Sequence, residues 1–266
     1  MGLGGVARRI LPKSWFDALI FRRAERLIAR SATAADEAEV GSGPPLPPGS
    51  LRVLVVGDGD GPAFLRRGRE QAEFILGLGR PHGLSLDRPV DMLDFGCGCG
   101  RLARWIAPQV EAAGGRFTGS DLNPALVRWC AGNLPGRYLR NGLTPPLRIE
   151  TASQDAIYAY SVVTHLTLST TRAWLGELAR VLRPGGLAMV SFHDEDFRPG
   201  EHTEALLRDG YLVSTRMLEG SNHMASYATR AFFSGLCDAD FEVLEIRPSE
   251  TANQMQAWAV LRRKAA

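Results

Sequence analysis

At Leu93 an apolar run opens into a turn almost without side chains, Asp94-Phe95-Gly96-Cys97-Gly98-Cys99-Gly100, and the next apolar run, Phe117-Thr118-Gly119-Ser120, ends in the carboxylate of Asp121. A strand, a bare turn, a helical stretch and a second strand closed by an acid form the order that holds a nucleoside. The backbone approaches the ligand closely, and the acid takes the ribose hydroxyls. Asn123 and Pro124 follow as a cap and a first helical residue. The glycines run D-x-G-x-G-x-G, which is not the G-x-G-x-x-G spacing of a pyrophosphate loop. An earlier glycine turn, Gly57-Asp58-Gly59-Asp60-Gly61, leads into a long helix with no strand and acid after it, and reads as structural.

The rest of the 266 residues fall into three parts. Residues 1–40 read as an amphipathic helical extension, with Trp15, Phe16, Leu19, Ile20, Leu27 and Ile28 interleaved with Arg22, Arg23, Arg26 and Arg30. Such a helix docks on its own domain or joins two copies as a homodimer, with a membrane surface as the other reading. Residues 41–50, GSGPPLPPGS, are expected to be a linker. Residues 51–266 form the main domain. Its strands are expected at Arg52 to Val56, Val90 to Phe95, Arg116 to Asp121, Tyr138 to Asn141, Ala156 to Val163 and Leu187 to His193; after a helix and the segment Tyr211 to Met217 come two late strands, Phe241 to Arg247 and Gln256 to Arg263. Helical patterns separate most of the earlier strands, which implies parallel pairing in an α/β sheet. The last two strands are joined by a short turn and point to an antiparallel sheet edge.

Composition removes several functions. Lysine plus arginine number 31 against 29 acids, and a net charge of +2 gives no basic footprint for nucleic acid. Four cysteines, two of them in the glycine turn, are too few for a disulfide scaffold and suggest a reducing, cytoplasmic setting. No apolar run approaches the ~18 residues of a transmembrane span.

Four segments in order carry a resemblance to the class I S-adenosylmethionine-dependent methyltransferases, over roughly Gly68 to Arg263. LDFGCGCGR at Leu93 to Arg101 is similar to their first motif and FTGSDLN at Phe117 to Asn123 to their second. DAIYAYSVVTHL at Asp155 to Leu166 is similar to their fourth-strand motif. WLGELARVLRPGGLAMVSFH at Trp174 to His193 resembles the helix, turn and fifth strand of their small-molecule and glycan branch. The resemblance implies a Rossmann-like, seven-stranded, mostly parallel sheet with one antiparallel edge strand, and S-adenosylmethionine as cofactor. By the same resemblance Asp121 holds the ribose diol, Leu122 packs on the adenine, and Asn141, Gly142 and Leu143 lie at the adenine edge. Asp94, Phe95, Gly96, Cys97, Gly98, Arg101, Asn123 and Ser161 complete the cofactor site. Two departures stand in the chain: Gly142 occupies a position often acidic in the family, and Arg101 adds a positive charge beside the loop.

Methyl transfer from a sulfonium is a displacement, and a base is needed only where the nucleophile must lose a proton. The candidates are histidines just past strand ends, His165 and His193, with His223 and Tyr227 as acceptor-binding residues in the insertion after the fifth strand. The five histidines show no metal-binding spacing. The expected reaction is O-methylation of a small molecule or a sugar or glycan hydroxyl. N- or C-methylation of a natural-product intermediate, or a non-catalytic cofactor-binding or assembly protein, are the alternatives. Ser161-Val162-Val163-Thr164 stands where an enzyme acting on a flipped base carries Asn/Asp-Pro-Pro-Tyr/Phe, which argues against a nucleic-acid acceptor.

Overall fold

The strand Met92–Phe95 is buried throughout and Gln154–Ala159 at every position but Asp155, the mark of a parallel sheet covered by helices on both faces. The computed structural model describes residues 43–200, 202–216, 218–250 and 255–265. The expected N-terminal helix, and a dimer formed through it, lie outside the described residues. In chain order the elements are α1 (Gly49–Val56), α2 (Gly61–Gly79), β1 (Met92–Phe95), α3 (Ala103–Ala112), β2 (Phe117–Asp121), α4 (Pro124–Asn133), β3 (Arg137–Arg140) and β4 (Gln154–Ala159). They continue with α5 (Leu168–Val181), β5 (Leu182–Phe192), α6 (Thr203–Asp209), β6 (Tyr211–Arg216), β7 (Met224–Ala228), α7 (Arg230–Cys237), β8 (Phe241–Arg247) and β9 (Ala257–Arg263).

Seven strands form one sheet in the order β3-β2-β1-β4-β5-β9-β8, and β6 and β7 form a separate antiparallel pair. The large sheet is parallel except for β9, which runs antiparallel to β5 and β8 and lies next to the β8 edge. Alternation along each strand feeds two cores. Leu93, Ile157 and Val190 face Trp174 and Leu178 of α5, while Met92, Tyr158 and Met189 face Ile75 of α2 and Ile106 of α3. The chain moves outward from β1 to β3 and then returns to β4, so the carboxyl ends of β1 and β4 part around a crevice.

Two expectations change. Arg52 to Val56 is the helix α1, because no strand is available to pair with it; its apolar residues pack instead against Phe64, Cys99 and Leu126. The proline segment before it is fastened to the domain. Arg104 donates to the carbonyls of Pro44 at 2.5 Å and Pro45 at 3.3 Å, and buried Arg52 donates to Pro47 at 2.6 Å and Gly59 at 2.9 Å. The prolines leave carbonyls without competing amides, and two arginines collect them. Among the described residues no helix is long and apolar enough to cross a membrane.

Candidate active site

The crevice opens into a cavity of about 420 Å³ at the carboxyl ends of β1, β2 and β4. The glycine turn forms its floor. Gly96 and Gly98 have φ of +82° and +55°; a Cβ on the first would lie 2.3 Å from Val162 and on the second 2.9 Å from Val55, so side chains fit at neither. Asp121 closes β2 and ties the turn to the next helix, its Oδ2 accepting from Gly98 N at 2.9 Å and its Oδ1 from Asn123 N at 2.8 Å. Asn123 caps α4, as expected, by accepting from Ala125 N at 2.9 Å.

Of the residues singled out from sequence, Asp94, Phe95, Gly96, Cys97, Gly98, Arg101, Asp121, Leu122, Asn123, Asn141, Gly142, Leu143, Ser161, His165 and His223 all line this cavity. His193 and Tyr227 do not. His193 is buried behind the site, stacked on Phe197 with ring centres 4.1 Å apart and tilted against Tyr227 at 5.0 Å. Burial, with help from His165, pulls its imidazole down to about 3. The group is a neutral packing residue at physiological pH.

His165 sits differently. Its Nδ1 lies 2.6 Å from the Met224 carbonyl, which can only accept, so Nδ1 carries the hydrogen and Nε2 is left with a lone pair. That lone pair is on the cavity side, 3.4 Å from Ser161 Oγ. Burial lowers the imidazole below its ordinary range, opposed by the Met224 carbonyl. The ring is therefore neutral near pH 7 and able to accept a proton.

An acidic and a basic side chain line the cavity beside the loop. Asp94 is buried with Oδ2 unpartnered, and Arg101 presents a buried, unpartnered Nε while its guanidinium lies 5.0 Å above the Tyr160 ring. Burial pushes the Asp94 carboxyl up to about 7; the Tyr158 hydroxyl opposes the rise, Asp121 adds to it, and Arg101 opposes it. A carboxyl raised in this way is protonated below pH 7 and ionised above. A ligand bearing an ammonium group should therefore bind with release of a proton, its affinity falling about tenfold per pH unit below 7. Calorimetry with S-adenosylhomocysteine, in buffers of different ionisation heat, should show that slope in the native protein and lose it in Asp94→Asn.

Part of the cavity wall was not legible from motifs. Val53, Leu54 and Val55 of α1 cover the loop, and Leu218, Gly220, Ser221 and Asn222 cover the opposite side from the β6–β7 turn. Asn222 Nδ2 donates to Leu54 O at 2.9 Å, joining the two walls. The available signals were the apolar run just after the prolines and the glycine at 220, which lacks a Cβ that would meet Leu122 at 2.9 Å and Leu143 at 3.1 Å. Trp174 holds the far edge by donating from its indole to Leu143 O at 2.8 Å. A chain starting at Asp58 loses the α1 wall and should bind S-adenosylhomocysteine at least tenfold more weakly than one starting at Gly43. Equal affinities by calorimetry would remove α1 from the site.

Comparison with known proteins agrees with this geometry. Residues 92–186 match the model of a methyltransferase domain. The chain is 33% identical over 114 residues to a probable S-adenosylmethionine-dependent methyltransferase of Mycolicibacterium smegmatis, covering 42% of each protein. It is 30% identical over 128 residues to a malonyl-[acyl-carrier protein] O-methyltransferase of Hahella chejuensis, covering 45% of this chain and 44% of that one. The matches thus span less than half the length of these curated relatives. Among solved structures, a methyltransferase of Methanosarcina mazei superposes with a TM-score of 0.54 at 16% identity, over 67% of this chain and 94% of that one. The 1,6-didemethyltoxoflavin-N1-methyltransferase of Burkholderia thailandensis, solved with its substrate and S-adenosylhomocysteine, gives 0.54 at 17% identity, over 74% and 79%. Residues 92–186 thus match a methyltransferase-domain model, and the chain shares its fold with solved S-adenosylmethionine-dependent methyltransferases.

Proposed function

We propose that the protein transfers a methyl group from S-adenosylmethionine to a hydroxyl of a small molecule or sugar, with His165 receiving the hydroxyl proton. The observation that carries this reading is the imidazole orientation: the Met224 carbonyl occupies Nδ1, and Nε2 faces the same cavity as Asp94 and Asp121. The cavity suits the cofactor through its own unpaired groups. Asp94 Oδ2 and Arg101 Nε, both buried without partners, match the ammonium and carboxylate of an amino-acid zwitterion. Asp121 is the ribose partner. Leu122, Asn141, Gly142 and Leu143 receive the adenine, Gly142 through its backbone alone.

S-adenosylmethionine bound there supplies a methyl group made electrophilic by its sulfonium. The protein's own share is positioning and proton handling. Val53, Leu54, Leu166 and Leu218 give a largely apolar lining that keeps water from the reacting atoms. His165 stays neutral and takes the proton as the acceptor oxygen becomes nucleophilic. His223, exposed at the rim, contacts the acceptor. Incubation with methyl-labelled S-adenosylmethionine and a panel of phenols, alcohols and sugars tests the reading. It predicts label recovered as an ether. Label recovered only on nitrogen or carbon, or no transfer to any hydroxyl, would contradict it.

A further inference from the structure

Ser161 follows β4 with φ of +59°, in the left-handed region that non-glycine residues seldom adopt. Two side chains far apart in sequence, Ser191 and Gln256, hold it there in a closed ring. Ser161 N donates to Ser191 Oγ at 2.7 Å, Ser191 Oγ donates to Gln256 Oε1 at 2.7 Å, and Gln256 Nε2 donates back to Ser161 Oγ at 2.9 Å. A backbone amide only donates, so Ser191 Oγ accepts from it; with the single Ser191 hydrogen sent to the Gln256 oxygen, the Gln256 NH₂ faces Ser161. With Ser161 Oγ already accepting, its own hydrogen must go elsewhere. The acceptors in reach are Thr164 Oγ1 at 3.3 Å and His165 Nε2 at 3.4 Å.

We propose that Gln256 and Ser191 are positioning residues that aim the Ser161 hydroxyl hydrogen at His165 Nε2, making Ser161 the link through which the acceptor's proton reaches the imidazole. This rests on the methyl-transfer reading above. As the acceptor oxygen forms its bond to the methyl carbon and the carbon–sulfur bond breaks, the acceptor proton passes to Ser161 Oγ and the Ser161 proton passes to His165 Nε2. Ser161 ends unchanged, and the imidazole carries one added proton. The 3.4 Å separation is long for a hydrogen bond and is of the kind that tightens when a site fills.

Other groups around His165 are accounted for. Ser161 and Thr164 face it from its own turn, and the Met224 carbonyl faces it from β7. His193, just past the end of β5, is the titratable group behind it. Glu219 of the β6–β7 turn is engaged by Thr167 N and Oγ1, both at 2.7 Å. Asp94, Arg101 and His223 share the cavity.

Nuclear magnetic resonance titration of His165 in the full chain, without ligand, tests the proposal in the native protein, Gln256→Glu, Ser161→Ala and the double variant. An ionised glutamate has no hydrogen to give, so Ser161 turns its hydroxyl toward it and the neutral imidazole loses a donor. The His165 pKa should rise. The added negative charge raises it as well, but by the same amount whether or not Ser161 is present. The expected result is a rise about one pH unit larger with the serine in place than in the Ser161→Ala background. Equal rises in the two backgrounds overturn the proposal. Ser191→Ala changes no charge and frees the Gln256 amide to turn over, so it should raise the His165 pKa by roughly half a pH unit; no rise there overturns the proposal even if Gln256→Glu fails to fold. Calorimetry of the native protein with S-adenosylhomocysteine separates the two layers. Absence of binding would remove the methyl-transfer reading, and the relay with it, while leaving the measured ring intact; binding without coupling would remove the ring's role alone.

Discussion

Asp121→Ala should weaken S-adenosylhomocysteine binding by one to two decades. The carboxylate has two duties, and alanine ends both. It is the acid at the end of β2 proposed to receive the ribose diol, and its two oxygens already gather Gly98 N and Asn123 N, fixing the glycine turn against the start of α4. Leaving buried hydrogen-bonding groups without partners costs about 1 to 3 kcal/mol, which matches that loss of affinity. Burial raises the Asp121 carboxyl, and the amides of Asn123, Gly98 and Leu122 pull it back, so the anion depends on the loop as much as the loop depends on it. Asp58→Ala is the control. That carboxylate is exposed, accepts from Asp60 N at 3.2 Å and meets Arg67 at 3.6 Å, so its removal should change affinity less than twofold. Calorimetry showing unchanged affinity for Asp121→Ala would take the residue out of the site.

His165→Ala should lower turnover by about 10² to 10⁴ while cofactor affinity stays within a few-fold of native, the loss expected when a proton acceptor is removed. The sign of the pH dependence follows from the ring's environment. Burial lowers the imidazole pKa, so the neutral, accepting form persists below the ordinary value of about 6.5, and the rate falls only as pH drops through that lowered pKa. A rate that falls at the acid side in the native protein and is flat in the variant supports the assignment. His193→Ala should behave in the opposite way. Its ring is packed between Phe197 and Tyr227, and deletion should cost about 2 to 4 kcal/mol of stability with cofactor affinity retained. A turnover loss at His193 as large as at His165, in folded protein, would reverse the two roles.

The sequence made the sheet and the glycine-turn side of the cavity legible because each signal there is local. The glycine turn, the acid ending β2 and the Asn123-Pro124 cap are decided by neighbours within a few residues. The N-terminal wall was misread because Arg52 to Val56 has strand composition, whereas its conformation is set by packing on Phe64 and Leu126 and by an arginine that folds back onto Pro47 and Gly59. His165 and His193 were indistinguishable in sequence, each following a strand. What separates them is the element each meets: the Met224 carbonyl of β7 for the first, and the aromatic cluster of Phe197, Tyr227 and His202 for the second. The β7 strand itself lay unmarked in a stretch of polar and small residues. Gln256 carried no local signal, since its role arises only where β9 crosses beside β5.

A crystal structure of the full chain with S-adenosylhomocysteine tests the central claim most directly. The account predicts one molecule in the cavity, its ribose hydroxyls on Asp121, its amino-acid end between Asp94 and Arg101, its adenine between Leu122 and Leu143, and its sulfur on the side of Ser161 and His165. A molecule bound with its ribose away from Asp121, or an empty cavity at saturating ligand, would contradict it.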